Sequence, residues 1–115
     1  MRALLDGFDI FVGPEALIHR GREAGAVGAV SALASAFPDE VAAVVREPTA
    51  EGAARLGALR EQMGRFPRQA VMKRVVGWKG VPLRSDVRRP LRDLDAAEAA
   101  ELEAWLAQEV GVATR

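Results

Sequence analysis

Apolar positions along this chain fall into two regimes. Up to residue 48 they come in short runs broken by Gly and Pro, and from Thr49 onward they recur at every third or fourth position. The run FDIFV, residues 8–12, is short, aromatic and β-branched, which suits a strand, and Gly13-Pro14 ends it. Glu15 to Arg22 reads as a helix that Gly25 closes. Residues 26–33, AVGAVSAL, predict a second strand with Val27 and Val30 as its larger side chains. Such small residues imply close packing on both sides, or open backbone beside a ligand. Strand, short helix, strand is the rhythm of a βαβ unit with parallel strands. Pro38, Asp39 and Glu40 then open a helix, since Pro needs no amide partner in the first turn and acids suit the positive end of the helix dipole. Val41, Val44 and Val45 give that helix a buried stripe, and it ends near Glu47-Pro48.

The second regime is wholly helical. Ala53, Leu56, Leu59 and Met63 mark one face, followed by a break at Gly64 to Pro67. Residues 68–77 predict another helix through Ala70, Val71, Val75 and Val76, and 77–91 are irregular, with two Gly and two Pro. Asp95 followed by Glu98 is the pattern of a capping box. The last helix uses Ala99, Leu102, Trp105 and Leu106, is ended by Gly111, and leaves loose final residues. Two strands with two helices, then three helices, make an awkward whole. A two-stranded parallel sheet exposes two edges and offers few contacts, so the expectation is that further strands are missing.

Composition narrows the function. With 115 residues, half of them hydrophobic, one domain with a modest core is expected. Sixteen basic and 16 acidic side chains cancel, which argues against a nucleic-acid partner or a basic membrane-binding surface. The absence of Cys excludes disulfides and thiolate zinc sites, and a single His excludes a His-rich metal centre within one chain. No basic leader precedes an apolar run, and no apolar stretch is long enough to cross a bilayer, so a cytoplasmic location with no membrane partner is expected.

Several residues invite chemistry. His19 has the side chain of a general base, but on a short helix beside Arg20 it reads as a surface or interface residue. Glu15, near a strand exit, reads as a helix-start acid favoured by the dipole rather than as a catalyst. Lys73 among Val75 and Val76 would become a nucleophile only if buried, and no base or acceptor pocket accompanies it. Arg84, Arg88, Arg89 and Arg92 lie beside Asp86 and Asp93, the composition of a loop held by ion pairs and subunit contacts. Gly25 to Gly28 lacks both the Lys of a phosphate loop and the Gly spacing of a dinucleotide site.

The order of these segments resembles the C-terminal part of the dihydrodipicolinate synthase and N-acetylneuraminate lyase family. FDIFVGPEALI resembles a seventh barrel strand leading to Gly, one variable residue and an acid, here Gly13, Pro14 and Glu15. GAVGAVSALASAFP resembles the eighth strand and its exit, through Gly25, Ala26, Gly28, Val30, Ser31, Ala34 and Pro38; Ser35 stands where Asn is usual and Val30 where Ile is common. AVMKRVVGWKG resembles a late helix with a Val-Lys step, interrupted here by Met72, and VRRPLRDL resembles the Arg-x-Pro-Leu segment before the last helix.

The resemblance implies an α/β fold: strands seven and eight of a (β/α)8 TIM barrel over residues 1–48, then the family's C-terminal helices over 49–115. It implies carbon–carbon lyase or synthase chemistry on a 2-keto acid such as pyruvate, through a Schiff base, with no metal or organic cofactor. The Schiff-base lysine lies on strand six and the proton-moving tyrosine near strand four, so neither maps here. This chain has no Tyr, and Lys73 and Lys79 match C-terminal positions. No catalytic residue is therefore expected in this chain, which alone should be inactive. Gly13 matches the small residue beside the bound keto acid, and Val30 the residue whose backbone lies near it. The expected partner is a complementary N-terminal barrel chain or further copies of this one. The alternative is a non-enzymatic oligomeric module derived from the barrel.

Overall fold

The computed structural model describes residues 7–110, with side chains described through Gln108. The expected stop at Gly111 and the loose tail lie outside that range. The chain forms two compact units divided between Gln62 and Met63.

The first unit is mixed α/β. β1, Phe11–Val12, and β2, Gly28–Ala29, pair in parallel, with Phe11 opposite Gly28 and Val12 opposite Ala29. They form a two-stranded sheet. Both are shorter than the 8–12 and 26–33 expected from sequence. Parallel strands are held by neighbours on both sides, and among the described residues each has one, so the ladder extends little beyond Val27 N–H to Ile10 carbonyl and Val30 N–H to Val12 carbonyl, at 2.8 and 2.9 Å. After Val30 the backbone turns away: Ser31 Oγ accepts from Ala34 N–H at 3.1 Å, and Leu33–Ser35 form a 3-10 turn.

Between the strands, Glu15–Leu17 form a 3-10 turn that runs into α1, Ile18–Glu23, so the expected single helix begins as a tighter one. Gly25 closes α1 with φ +105°, where Cβ-bearing residues are strained. Ala26 N–H reaches Gly21 carbonyl at 2.9 Å and Gly25 N–H reaches Arg22 carbonyl at 3.1 Å, the paired bonds of a Schellman ending. Arg22 also reaches outward, donating to Ala26 carbonyl at 2.7 Å and to Val45 carbonyl at 3.2 Å. It thus ties the start of β2 to the last turn of α2, Pro38–Arg46. Pro38 opens α2, with Val41 and Val44 buried and Val45 half-buried. α3, Ala50–Met63, buries Ala53, Leu56 and Met63, while Leu59 stays half-buried. Ile18, Leu33 and Phe37 are fully buried.

In the second unit, α4 spans Arg68–Trp78 and buries Ala70, Val71, Met72 and Val75. It ends like α1: Gly80 takes φ +103°, and Val81 N–H turns back to Val76 carbonyl at 3.3 Å. The irregular stretch that follows is organised by Asp93. Its carboxylate accepts from Ser85 Oγ at 2.9 Å, Leu94 N–H at 2.7 Å and Arg74 at 3.4 Å. α5, Ala96–Trp105, begins with the expected capping box: Glu98 N–H donates to Asp95 at 2.8 Å and Asp95 N–H to Glu98 at 3.0 Å. Leu102 and Leu106 are buried, and a π-helical turn covers Leu106–Val110.

Candidate functional site

Both parallel strands end on one side of the first unit, where ligand sites of parallel sheets form. Gly13, just past β1, and Val30, just past β2, line one open concavity of about 420 Å3. Pro14, Ala16, Ala32 and Gly57 add short apolar groups to it, and Glu15 and Arg60 supply its charge. Val30 is 72% exposed there. A Cβ on Gly13 would meet no protein atom within 4 Å, so protein packing does not demand glycine at this position.

Glu15 is buried although charged, at 2% exposure. Its dipole explanation is incomplete, because the carboxylate is held by groups distant in sequence. Oε2 accepts from Ser31 Oγ at 2.6 Å and Leu33 N–H at 3.2 Å, while Oε1 takes Arg60 Nη1 at 3.0 Å. Burial alone would push this carboxyl up. The Ser31 hydrogen bond, the N–H groups of Glu15 itself and Leu33, and the Arg60 charge outweigh it and hold the group below the ordinary 4.5. Glu15 therefore stays ionised and joins the exits of both strands to α3. Sequence reasoning missed this partnership; the signal that could have found it was Ser31, a hydroxyl immediately past a strand of small apolar residues.

The cluster has no nucleophile poised for covalent chemistry. Ser31 donates to a carboxylate rather than to an imidazole base. No lysine lines the concavity, and Lys73 Nζ donates to Asp86 carbonyl at 2.7 Å in the second unit. His19 Nε2 lies 3.3 Å from Glu23 on the same helix face, a local pairing with no catalytic partner. Of the four arginines singled out, Arg84 makes the kind of loop ion pair expected, with Asp86 at 3.1 Å, whereas Arg92 forks onto Glu98 at 2.8 and 2.9 Å. Among the described residues no three His, Asp or Glu side chains converge as metal ligands, and no helix is long and apolar enough to cross a membrane.

Over 111 residues the chain is 32% identical to a protein of Chloroflexus aurantiacus described as an uncharacterized DapA-like lyase. The chain resembles part of a DapA-like lyase. The alignment covers 90% of this chain and 37% of that protein, so the chain spans little more than a third of its relative's length. No family model matches the chain. No solved structure matches it.

Proposed function

We propose that this chain is the C-terminal portion of a Schiff-base-forming keto-acid lyase or synthase of the dihydrodipicolinate synthase and N-acetylneuraminate lyase family. The observation that carries the reading is the 32% identity to a DapA-like lyase, which runs through 90% of the chain. On this reading β1 and β2 are the seventh and eighth strands of a (β/α)8 barrel, residues 1–48 are the last barrel units, and residues 49–115 are the C-terminal helical region. Gly13 and Val30 flank the keto acid, a role that suits their shared concavity at the strand ends. The nucleophilic lysine and the proton-moving tyrosine belong to the remainder of the enzyme, so this portion alone is inactive.

The state of the sheet supports a complementary chain as partner. Phe11 is 56% exposed. Ile10 and Val12 turn their carbonyls toward β2, so strand alternation turns that of Phe11 the other way. Beside it runs a groove of about 560 Å3, lined by Ile10, Phe11 and Val12 together with Leu17, Gly21 and Ala24. A further strand and its helix would cover both the backbone edge and the groove.

Exposed Leu17 and Val27 also suit the second reading, an oligomeric module without enzymatic function, in which copies of this chain cover one another. Co-expression with the part of the Chloroflexus protein outside the matched stretch separates the two. The enzyme reading expects a stable one-to-one complex that displaces any self-association. A chain that assembles only with itself would favour the module.

A further inference from the structure

Charge in the second unit is divided along the chain. Residues 63–92 contain nine Lys and Arg and one acid, Asp86, whereas residues 93–109 contain six acids and no Lys or Arg. The net charge of zero hides this division. Folding sets part of one group against the other: Arg65 pairs with Glu101, Arg74 with Asp93 at 3.4 Å and Arg92 with Glu98 at 2.8 Å. Arg68 is exposed and meets no carboxylate among the described residues, and the same holds for Arg88 and Arg89.

Three of these cations share one open hollow of about 460 Å3, lined by Arg65, Arg68 and Arg92 together with Pro67, Pro90 and Leu91. No acid lines it among the described residues. We propose that the hollow binds a small phosphate monoester, with the phosphate on the guanidiniums and the organic group against Pro67, Pro90 and Leu91. Glu101 and Glu98 hold Arg65 and Arg92 without lining the hollow, so two of its guanidiniums are restrained before a ligand arrives. Arg68 adds a charge that no described carboxylate offsets, and like charges on one wall favour an incoming anion. A phosphate monoester carries nearly two negative charges and three terminal oxygens, enough acceptors for more than one guanidinium. A carboxylate has two oxygens, which a single guanidinium fork satisfies. Leu91 is 48% exposed and offers the organic group an apolar contact. Every lining residue belongs to the second unit, so the proposal does not rest on the keto-acid reading.

The test is a titration of the isotope-labelled chain with phenyl phosphate, above the second phosphate pKa of about 6. Nuclear magnetic resonance reads Arg68 Nε–Hε and the amides of Gln69 and Leu91. Sodium chloride at matched ionic strength, benzenesulfonate (a monoanion of similar shape) and a thymidine oligonucleotide serve as comparisons. Saturable shifts with a millimolar dissociation constant are expected with phenyl phosphate, and R68Q should weaken binding by about tenfold. Because Arg68 has no carboxylate partner among the described residues, R68Q should melt with the parent chain. Leu91→Glu is a second arm, in which an exposed position gains a carboxylate that should block the phosphate. Shifts that match the chloride control, equal binding of benzenesulfonate, tighter binding of the oligonucleotide, or affinity unchanged in both variants would overturn the proposal.

Discussion

Arg60 Nη1 on α3 stands 3.0 Å from Glu15 Oε1 at the exit of β1, across 45 positions of sequence. With Ser31 past β2 bound to the same carboxylate, one buried acid joins three elements of the first unit. E15A would leave the buried Leu33 N–H, the Ser31 hydroxyl and a cation without their acceptor. We expect a loss of about 2–3 kcal/mol, with E15Q milder because an amide oxygen remains. Urea unfolding followed by far-ultraviolet circular dichroism reads both variants, and unchanged midpoints would remove Glu15 from the account.

Three carboxyls are held below their ordinary range, Glu15, Asp93 and Glu98, and the two glutamates predict a pH dependence. Burial raises Glu15, but the Ser31 bond and its other donors bring it lower. Glu98 is pulled down to about 2, first by its hydrogen bonds from Arg92 and then by the Asp95 N–H. A depressed carboxyl stabilises the fold above its unfolded pKa, and that contribution fades as pH falls through the folded value. Stability should be flat with respect to these groups above pH 4.5 and decline from there toward about 2 for Glu98. The E98Q variant should show a shallower decline in an acid titration of helicity, with the difference confined to that window.

At the start of α5, the two reciprocal bonds of Asp95 and Glu98 satisfy backbone donors that no helix turn can reach. Asp95→Ala should cost about 1 kcal/mol. Faster amide hydrogen exchange in the first turn of α5, with little change at α1, is the expected signature.

That cap was legible because it is local: acceptor and donor lie three positions apart and the acid types announce it. The Schellman end at Gly25 and the Pro38 start of α2 were legible for the same reason. Strand length was not. Residues 26–33 have strand composition throughout, but pairing is decided by a neighbour, and past Val30 the Ser31 hydroxyl offers the backbone a turn instead. The candidate concavity was half legible. The resemblance marked Gly13 and Val30 by position, while Arg60 sits in a helix pattern where nothing distinguishes it from Arg55. Only folding brings it to Glu15.

Close packing of α1 on β1 makes a prediction whose sign depends on one neighbour. A Cβ at Gly21 would fall 2.1 Å from Val12 Cγ2. Gly→Ala within a helix ordinarily gains about 1 kcal/mol, while overpacking costs about 1–3. G21A should therefore destabilise the wild-type background and become neutral or stabilising once V12A has cleared the space. Thermal melts of the two single variants and the double variant form the cycle, and additive effects would contradict this contact.

The central proposal is that this chain is part of a Schiff-base enzyme whose nucleophile lies elsewhere. Borohydride trapping with pyruvate, read by intact-protein mass beside a no-pyruvate control, tests it most directly. Two samples are needed: the chain alone, and the chain mixed with the remaining part of its Chloroflexus relative. The account predicts no pyruvate-dependent adduct on this chain in either sample, and an adduct on the partner in the mixture. A stoichiometric adduct on the chain alone would contradict it, because the chemistry would then reside on Lys73 or Lys79.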